Sequence, residues 1–208
     1  VYLQDLQTLI AELALTRIVA FGTSLGGMLT MLLATADRDL LAGALLNDIG
    51  PVIEPEGLAH IASHVGRHQS WPTWLYAARH FQALHGASFP RYDLPDWIAF
   101  AKRLCRLTTA GRIVLDYDMK IAEAFKAVAP AAIDLWPAFD SLATVPMLIV
   151  RGGLSALFSD ATARAMAARA ANAELITVAD TGHAPMLTEE DCPDAIDRLL
   201  ARVAAIAA

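Results

Sequence analysis

The sequence predicts an α/β fold in which a parallel sheet is interrupted once by a helical insertion. Two observations lead to this prediction. Short apolar runs, typical of buried strands, alternate with longer segments of helical periodicity near both ends of the 208-residue chain. Between residues 52 and 135 this alternation stops, and most of the aromatic residues fall in that stretch.

The first part of the predicted core covers residues 1–51. Tyr2–Ala14 has apolar residues at the spacing of an amphipathic helix. The apolar runs Ile18–Phe21 and Leu40–Leu46 predict two strands, and Met28–Ala36 predicts the helix between them. Two strands joined by one helix form a parallel βαβ unit.

The insertion, residues 52–135, is predicted to be helical without strands. Its pattern indicates short helices at Pro55–Val65, Trp71–Leu84, Pro95–Leu107 and Asp118–Ala127. We interpret it as a cap over a substrate pocket, because it interrupts the core at a single point. The alternative is a small helical subdomain that only packs against the rest of the protein and covers no pocket.

The second part of the core covers residues 136–208. Val145–Val150 and Leu175–Val178 predict two further strands, which gives four parallel strands in all. Helices are predicted at residues 136–142, 160–171 and 191–207, and Ser159 suits the N-cap of the second of these helices.

The segment GTSLGG, residues 22–27, lies between the first strand and its helix. Gly-x-Ser-x-Gly in this context is typical of a nucleophile elbow, a strained turn that raises the Ser24 hydroxyl above the sheet. A side chain at Gly22 or Gly26 is expected to crowd the strand and helix that meet there. The Leu25 amide, at the helix N-terminus, is placed to stabilise an anion.

A serine hydroxyl needs a base to accept its proton. His183 lies in the loop after the last predicted strand and is the only one of six histidines in the alternating core. Loops at the carboxyl ends of parallel strands share one edge of the sheet, so His183 is the candidate base.

These motifs, together with LLNDIGP, VPMLIVRGG, LSALFSDATARAMA and TGHAPML, resemble the α/β-hydrolase superfamily. The resemblance is to its capped cytosolic branch of esterase-like, epoxide-hydrolase-like and C–C-hydrolase-like enzymes, and it is loose in the insertion. It implies an α/β-hydrolase core and a Ser-acid-His triad in that chain order. Ser24 would be the nucleophile, His183 the base and the Leu25 amide an oxyanion donor.

The position at which this superfamily usually carries the acid matches Ala156. Three alternatives remain. Asp48 follows the second strand, a further place where the superfamily carries its acid. Asp160 lies nearby, in the first turn of a predicted helix. The third alternative is that the acid has been lost.

The superfamily also has several strands before the first helix of this chain, and a His-Gly loop that supplies a second oxyanion donor. Neither is found before Tyr2, and the chain opens within an amphipathic pattern. Either the chain is part of a longer protein, or Ile18–Phe21 is expected to be an exposed apolar edge.

Composition excludes several classes of function. The net charge is −6 with scattered Lys and Arg, which argues against nucleic acid as a partner. No uncharged apolar stretch reaches the length of a membrane span. Cys105 and Cys192 are interpreted as ordinary thiols of a cytoplasmic protein. His60, His64 and His68 have a spacing that can bind metal, but a polar cap surface is favoured, and no metal or cofactor is expected.

The sequence therefore predicts a serine hydrolase that acts on a small-molecule substrate, an apolar ester or related acyl compound. Trp74, Met119 and Trp136 are candidate pocket residues. The alternative is a ligand-binding protein of the same fold with impaired catalysis. The sequence leaves open the substrate, whether an ester or C–C bond is cleaved, and the oligomeric state.

Overall fold

The computed structural model describes residues 1–123 and 134–207. The strands are β1 (Ile18–Thr23), β2 (Leu41–Asn47), β3 (Ser70–Trp71), β4 (Cys105–Leu107), β5 (Ile113–Leu115), β6 (Met147–Gly152) and β7 (Ala173–Val178). The helices are α1 (Tyr2–Glu12), α2 (Leu25–Ala36), α3 (Pro55–His64), α4 (Trp74–His85), α5 (Leu94–Leu104), α6 (Trp136–Asp140), α7 (Asp160–Arg169) and α8 (Cys192–Ala207).

The chain forms two compact units. Val1–Gly57 and Ile133–Ala208 make up the first, which we call the core unit, and Leu58–Ala132 the second, the insertion unit. The core unit contains a four-stranded sheet in the order β1-β2-β6-β7, and every pair of neighbours is parallel. The predicted α/β fold with four parallel strands is confirmed.

Helices cover both faces of this sheet. On one face α8 buries Cys192, Ala195 and Leu199 against a cluster that includes Leu45 of β2. On the other face α2 packs close to Leu46, the next residue of the same strand. Since neighbouring residues of a strand point to opposite faces, the core unit is a three-layer α/β/α arrangement.

The register of the strands sets the edge at which the loops meet. Thr23 of β1 pairs with Asn47 of β2, and Asn47 pairs with Val150 of β6. Gly152 at the end of β6 pairs with Val178 at the end of β7. The four carboxyl ends therefore reach the same edge of the sheet, where the loops carry the candidate site residues.

Strand β1 lies at one side of the sheet. Among the described residues it pairs only with β2. Phe21 is 48% exposed, and Ile18, Val19 and Ala20 are partly exposed.

The insertion unit contains strands, so the prediction that it is entirely helical was wrong. Strands β3, β5 and β4 form a small antiparallel sheet. The turn between β4 and β5 is closed by hydrogen bonds between Thr108 and Arg112 and contains Gly111 at φ = 72°. A turn that contains glycine between two short apolar runs is typical of a β-hairpin. The helix predicted over Pro95–Leu107 included the residues of β4, so this hairpin was not predicted. Much of the predicted helix Asp118–Ala127 lies outside the described residues.

None of the helices in the described part of the chain combines the length and the apolar character needed to cross a membrane.

Candidate active site

Ser24 lies on the sharp turn between β1 and α2. Its backbone, with φ = 51° and ψ = −116°, has a strained conformation that non-glycine residues rarely adopt. The Ser24 N–H donates to the carbonyl of Asn47 (3.1 Å), and the Ser24 carbonyl accepts from the amides of Gly27 and Met28. These bonds fix the turn and leave the serine half-buried at the carboxyl end of β1.

Two glycines allow the strand and helix to meet at this turn. A Cβ atom at Gly22 would lie 2.5 Å from the Gly27 nitrogen, which confirms the predicted crowding. At Gly26 the prediction was wrong, because a Cβ atom there would meet nothing within 4 Å. The crowded helical position is Gly27, where a Cβ atom would lie 2.3 Å from Cγ2 of Ile49 and 3.0 Å from the Gly22 carbonyl oxygen.

Leu25 is the first residue of α2. The first amides of a helix have no carbonyl partner within the helix, and the helix dipole gives them partial positive charge. The Leu25 N–H directly follows Ser24 in the chain, so it suits negative charge that develops on an oxygen next to the serine.

Asp48 directly follows β2 and is completely buried, with a left-handed backbone at φ = 53°. Its Oδ1 accepts the N–H of Gly152 at 2.7 Å. Its Oδ2 accepts the hydroxyl of Ser155 at 2.6 Å and lies 2.8 Å from Nδ1 of His183. A buried carboxylate is costly unless it is paired, and these three contacts offset that cost.

The imidazole of His183 is 20% exposed and contacts Asp48 through Nδ1. An ionised carboxylate can only accept hydrogen bonds, so this contact favours the tautomer that carries its proton on Nδ1. The lone pair of a neutral His183 is then on Nε2, the nitrogen that can accept a proton from another group.

Asn47 joins the elbow to the loop that carries His183. Its Nδ2 donates to Oγ1 of Thr23 at 3.0 Å and to the carbonyl of Pro185 at 2.8 Å. Thr23 precedes Ser24, and Pro185 follows His183 by two residues. This buried amide thus holds the two loops side by side. Sequence reasoning missed Asn47; the available signal was a polar residue at the end of an otherwise apolar strand.

The positions considered for the acid, Asp48, Asp160 and residue 156, have different surroundings. Asp48 contacts His183. Asp160 lies in the first turn of α7, half-exposed, and pairs with Arg164 at 2.7 Å. Ala156 is exposed, and its carbonyl accepts the N–H of Gly57. Ser155, which the sequence did not single out, bonds the same oxygen of Asp48 that His183 contacts.

The candidate pocket residues are divided between the two units. Trp74 begins α4, and Met119 lines a cavity of about 240 Å³; both belong to the insertion unit. Trp136, in the core unit, packs under the guanidinium of Arg169, 5.2 Å from the ring centroid. Their contribution to a substrate pocket stays a prediction.

His60 and His64 lie on α3, but the predicted third member of the row does not, because the helix ends at His64. His85 of α4 approaches them instead, with ring centroids 5.2 Å from His64 and 5.9 Å from His60. Burial and these neighbouring imidazoles lower the pKa of His85 to about 4. In the described ranges, no three or more His, Cys, Asp or Glu side chains are arranged to hold a metal ion.

Residues 1–199 match a family described as the alpha/beta hydrolase family. A curated relative, the 3-hydroxybutyrate-oligomer hydrolase of Cupriavidus necator, is 31% identical over an alignment of 196 residues, and the match covers 90% of this chain and 66% of that protein. The chain thus spans slightly less than two thirds of the relative's length.

Two solved structures illustrate the similarity of fold. An alpha/beta hydrolase from Novosphingobium aromaticivorans superposes with a TM-score of 0.91 at 48% identity, over 97% of this chain and 71% of that one. An E-2-(acetamidomethylene)succinate hydrolase has a TM-score of 0.75 at 22% identity, over 98% of this chain and 72% of that one. At that identity, the second similarity shows the fold alone.

Proposed function

The chain belongs to the alpha/beta hydrolase family, and on that premise we propose that it is a serine hydrolase that cleaves small apolar carboxylic esters through an acyl-enzyme at Ser24. The observation that carries the proposal is the 2.8 Å contact between Asp48 and Nδ1 of His183 at the edge of the sheet where Ser24 lies. It supplies an oriented base for a serine on a strained elbow.

In the acylation step, Oγ of Ser24 forms a bond to the carbonyl carbon of the ester, and its proton moves to Nε2 of His183. The Leu25 amide stabilises the oxyanion that forms on the carbonyl oxygen. Asp48 stabilises the resulting imidazolium through Nδ1. The C–O bond then breaks, and the leaving alcohol takes the proton from His183.

In the deacylation step, water attacks the acyl carbon and gives its proton to Nε2 of His183. The bond from the acyl group to Ser24 breaks, and the proton returns to the Oγ of this residue. The carboxylic acid product leaves. The net reaction consumes one ester and one water and yields one acid and one alcohol, so no cofactor is needed.

The substrate class is supported by the relative that is named for the hydrolysis of 3-hydroxybutyrate oligomers. The units of such an oligomer are joined by ester bonds between short aliphatic groups, in keeping with a small apolar ester. We therefore propose linear 3-hydroxybutyrate oligomers as the first substrates to examine, and ester hydrolysis in preference to C–C cleavage.

The alternative, a ligand-binding protein with impaired catalysis, was favoured by the strands and His-Gly loop not found before Tyr2 and, as a separate reason, by Ala156 at the usual acid position. The contact of Asp48 with His183 weakens that reason, because a carboxylate reaches the imidazole from another loop. Cleavage of ester substrates distinguishes the hydrolase from this binding protein.

We expect the full-length protein to hydrolyse the linear dimer and trimer of 3-hydroxybutyrate and p-nitrophenyl butyrate, measured by titration of the released acid. The matched control is a β-diketone of the dimer's length, in which a CH₂ group replaces the bridging ester oxygen and a carbonyl group replaces the CH(CH₃) group next to it. Its cleavage should be at least about a hundredfold slower, since a carbanion is a poorer leaving group than an alkoxide. Preferential cleavage of the diketone would contradict ester hydrolysis. Ligand binding without cleavage of any of these compounds would support the binding protein.

A further inference from the structure

We propose that Ser155 is a positioning residue whose hydroxyl holds the carboxylate of Asp48 in the orientation that contacts His183. The inference rests on the proposed function and adds a residue to it. Ser155 lies in the loop after β6, next to position 156, to which the resemblance assigns the usual acid. The loop in which the superfamily usually carries its acid thus supplies a hydrogen-bond donor to Asp48.

The hydrogen bonds of Ser155 determine where its single proton points. Its Oγ accepts the N–H of Leu157 at 3.2 Å and the N–H of Phe158 at 3.1 Å. Both partners are donors, so the hydroxyl proton remains for the oxygen of Asp48 at 2.6 Å. A short O–H···O⁻ bond of this kind is among the stronger hydrogen bonds in proteins.

The last residue of β6 and the loop that follows it hold the two oxygens of Asp48. The Gly152 N–H binds Oδ1, and Ser155 binds Oδ2, the oxygen that also contacts His183. Rotation of an Asp carboxylate about its last torsion is soft, so one donor alone leaves its plane loosely defined. Two donors, one at the end of β6 and one in the loop after it, fix that plane and with it the direction of the bond to His183.

This loop is itself anchored. Nε of Arg151 donates to the carbonyl of Phe158 at 3.0 Å, which closes the loop across its base. The Gly153 N–H donates to the Val178 carbonyl, and the Leu154 N–H donates to the Thr181 carbonyl. The second of these bonds ties the loop to the segment that carries His183, so Ser155 lies in a loop that is fixed to the segment of the histidine that Asp48 contacts.

The competing interpretation is that Ser155 only shapes its own loop through the Leu157 and Phe158 amides. The two interpretations differ in whether the effect of Ser155 passes through Asp48. A double-mutant cycle with Asp48→Asn separates them, because coupled residues give non-additive effects.

In the full-length protein, we expect Ser155→Ala to lower kcat for p-nitrophenyl butyrate by about tenfold to a hundredfold, the size expected for a hydrogen bond to a charged group. KM should change by less than about twofold, since Ser155 supports Asp48 and does not bind substrate. The matched control is Ser159→Ala, the same change in the same segment. The Ser159 hydroxyl caps α7 by accepting a hydrogen bond from the Thr162 N–H. Its removal should therefore leave kcat unchanged.

In the Asp48→Asn background, the further loss of kcat from Ser155→Ala should be less than about twofold. An equal loss in both backgrounds would overturn the proposal in favour of a loop-shaping role, and so would a Ser155→Ala variant with the kcat of the wild type. Should Ser155→Ala fail to fold, Ser155→Thr and Ser155→Val replace it in the test. Their side chains have nearly the same shape, and only threonine has a hydroxyl, so only Ser155→Thr should retain most of the activity.

Failure of the proposed function gives a different result. A wild-type protein that cleaves no ester contradicts the serine hydrolase, and the role of Ser155 is then decided by the NMR resonance of the proton on Nδ1 of His183. Ser155→Ala should shift that resonance and Ser159→Ala should not. No shift in either variant overturns the positioning role.

Discussion

Replacing Ser24 with alanine is expected to lower kcat for ester hydrolysis by a factor on the order of 10⁶, the loss recorded when the nucleophile of the serine protease subtilisin is removed. Alanine keeps the Cβ atom at this strained position, which has φ = 51°, so the elbow should persist. Only Oγ is lost, and the elements that remain cannot form an acyl-enzyme.

The measurement is kcat together with labelling by a fluorophosphonate, which reacts with activated serines. In the wild type, peptide mapping should find the label on Ser24, and Ser24→Ala should abolish it. The control is Ser141→Ala, which removes the hydroxyl of a buried serine that donates to the Pro137 carbonyl. Labelling that persists on another serine in Ser24→Ala would contradict the assignment of the nucleophile.

Asp48→Asn is expected to lower kcat by a factor on the order of 10⁴, as the corresponding change does in the chymotrypsin-type triad. The amide oxygen should remain with the Gly152 N–H, which directs the NH₂ group towards Nδ1 of His183. Two donors cannot share that contact, so the imidazole shifts its proton to Nε2 and can no longer accept one from Ser24.

The control for this variant is Asp160→Asn, the same chemical change on a half-exposed carboxylate that pairs with Arg164. Its kcat should stay within about twofold of the wild type, because a surface ion pair contributes little. If Asp160→Asn lost activity and Asp48→Asn kept it, the acid would be Asp160 and the proposed role of Asp48 would be wrong.

Much of the core could be predicted because its signals are local. Apolar runs bounded by polar loops predicted all four parallel strands, and the observed ends of these strands differ from the predicted ones by at most two residues. The nucleophile elbow is a contiguous motif, so Ser24 could be proposed as the nucleophile directly from the sequence. His183 followed from topology, since the loop after the last parallel strand lies at the same edge of the sheet as the elbow.

The proposed acid, Asp48, could not be chosen from the sequence because its environment is not local. Asp48 accepts hydrogen bonds from Gly152 and Ser155, more than 100 residues further along the chain. Which carboxylate meets His183 depends on how closely the loops after β2 and β6 approach each other. No spacing pattern encodes that distance, and for the same reason the hydrogen bond of Ser155 to Asp48 was missed.

The strands of the insertion unit and the role of Gly26 were misjudged for other reasons. Strands β3, β4 and β5 contain only two or three residues each, too few for a periodicity to be recognised. Gly26 and Gly27 are adjacent in the motif, and only the rotation of α2 decides which of them faces β1. That rotation places Gly27 against Gly22 and Ile49 and leaves space around Gly26.

The most direct test of the central claim, that Asp48 serves as the acid partner of His183, is the sign of the change in kcat caused by Ala156→Asp in the full-length protein. This substitution places a carboxylate at the position where the superfamily usually carries its acid, next to Ser155. Because Asp48 already contacts His183, a second negative charge brings repulsion and no new function. We predict that kcat for p-nitrophenyl butyrate stays the same or falls; a rise of tenfold or more would contradict the claim, since it would mean that His183 lacks an effective acid in the natural chain.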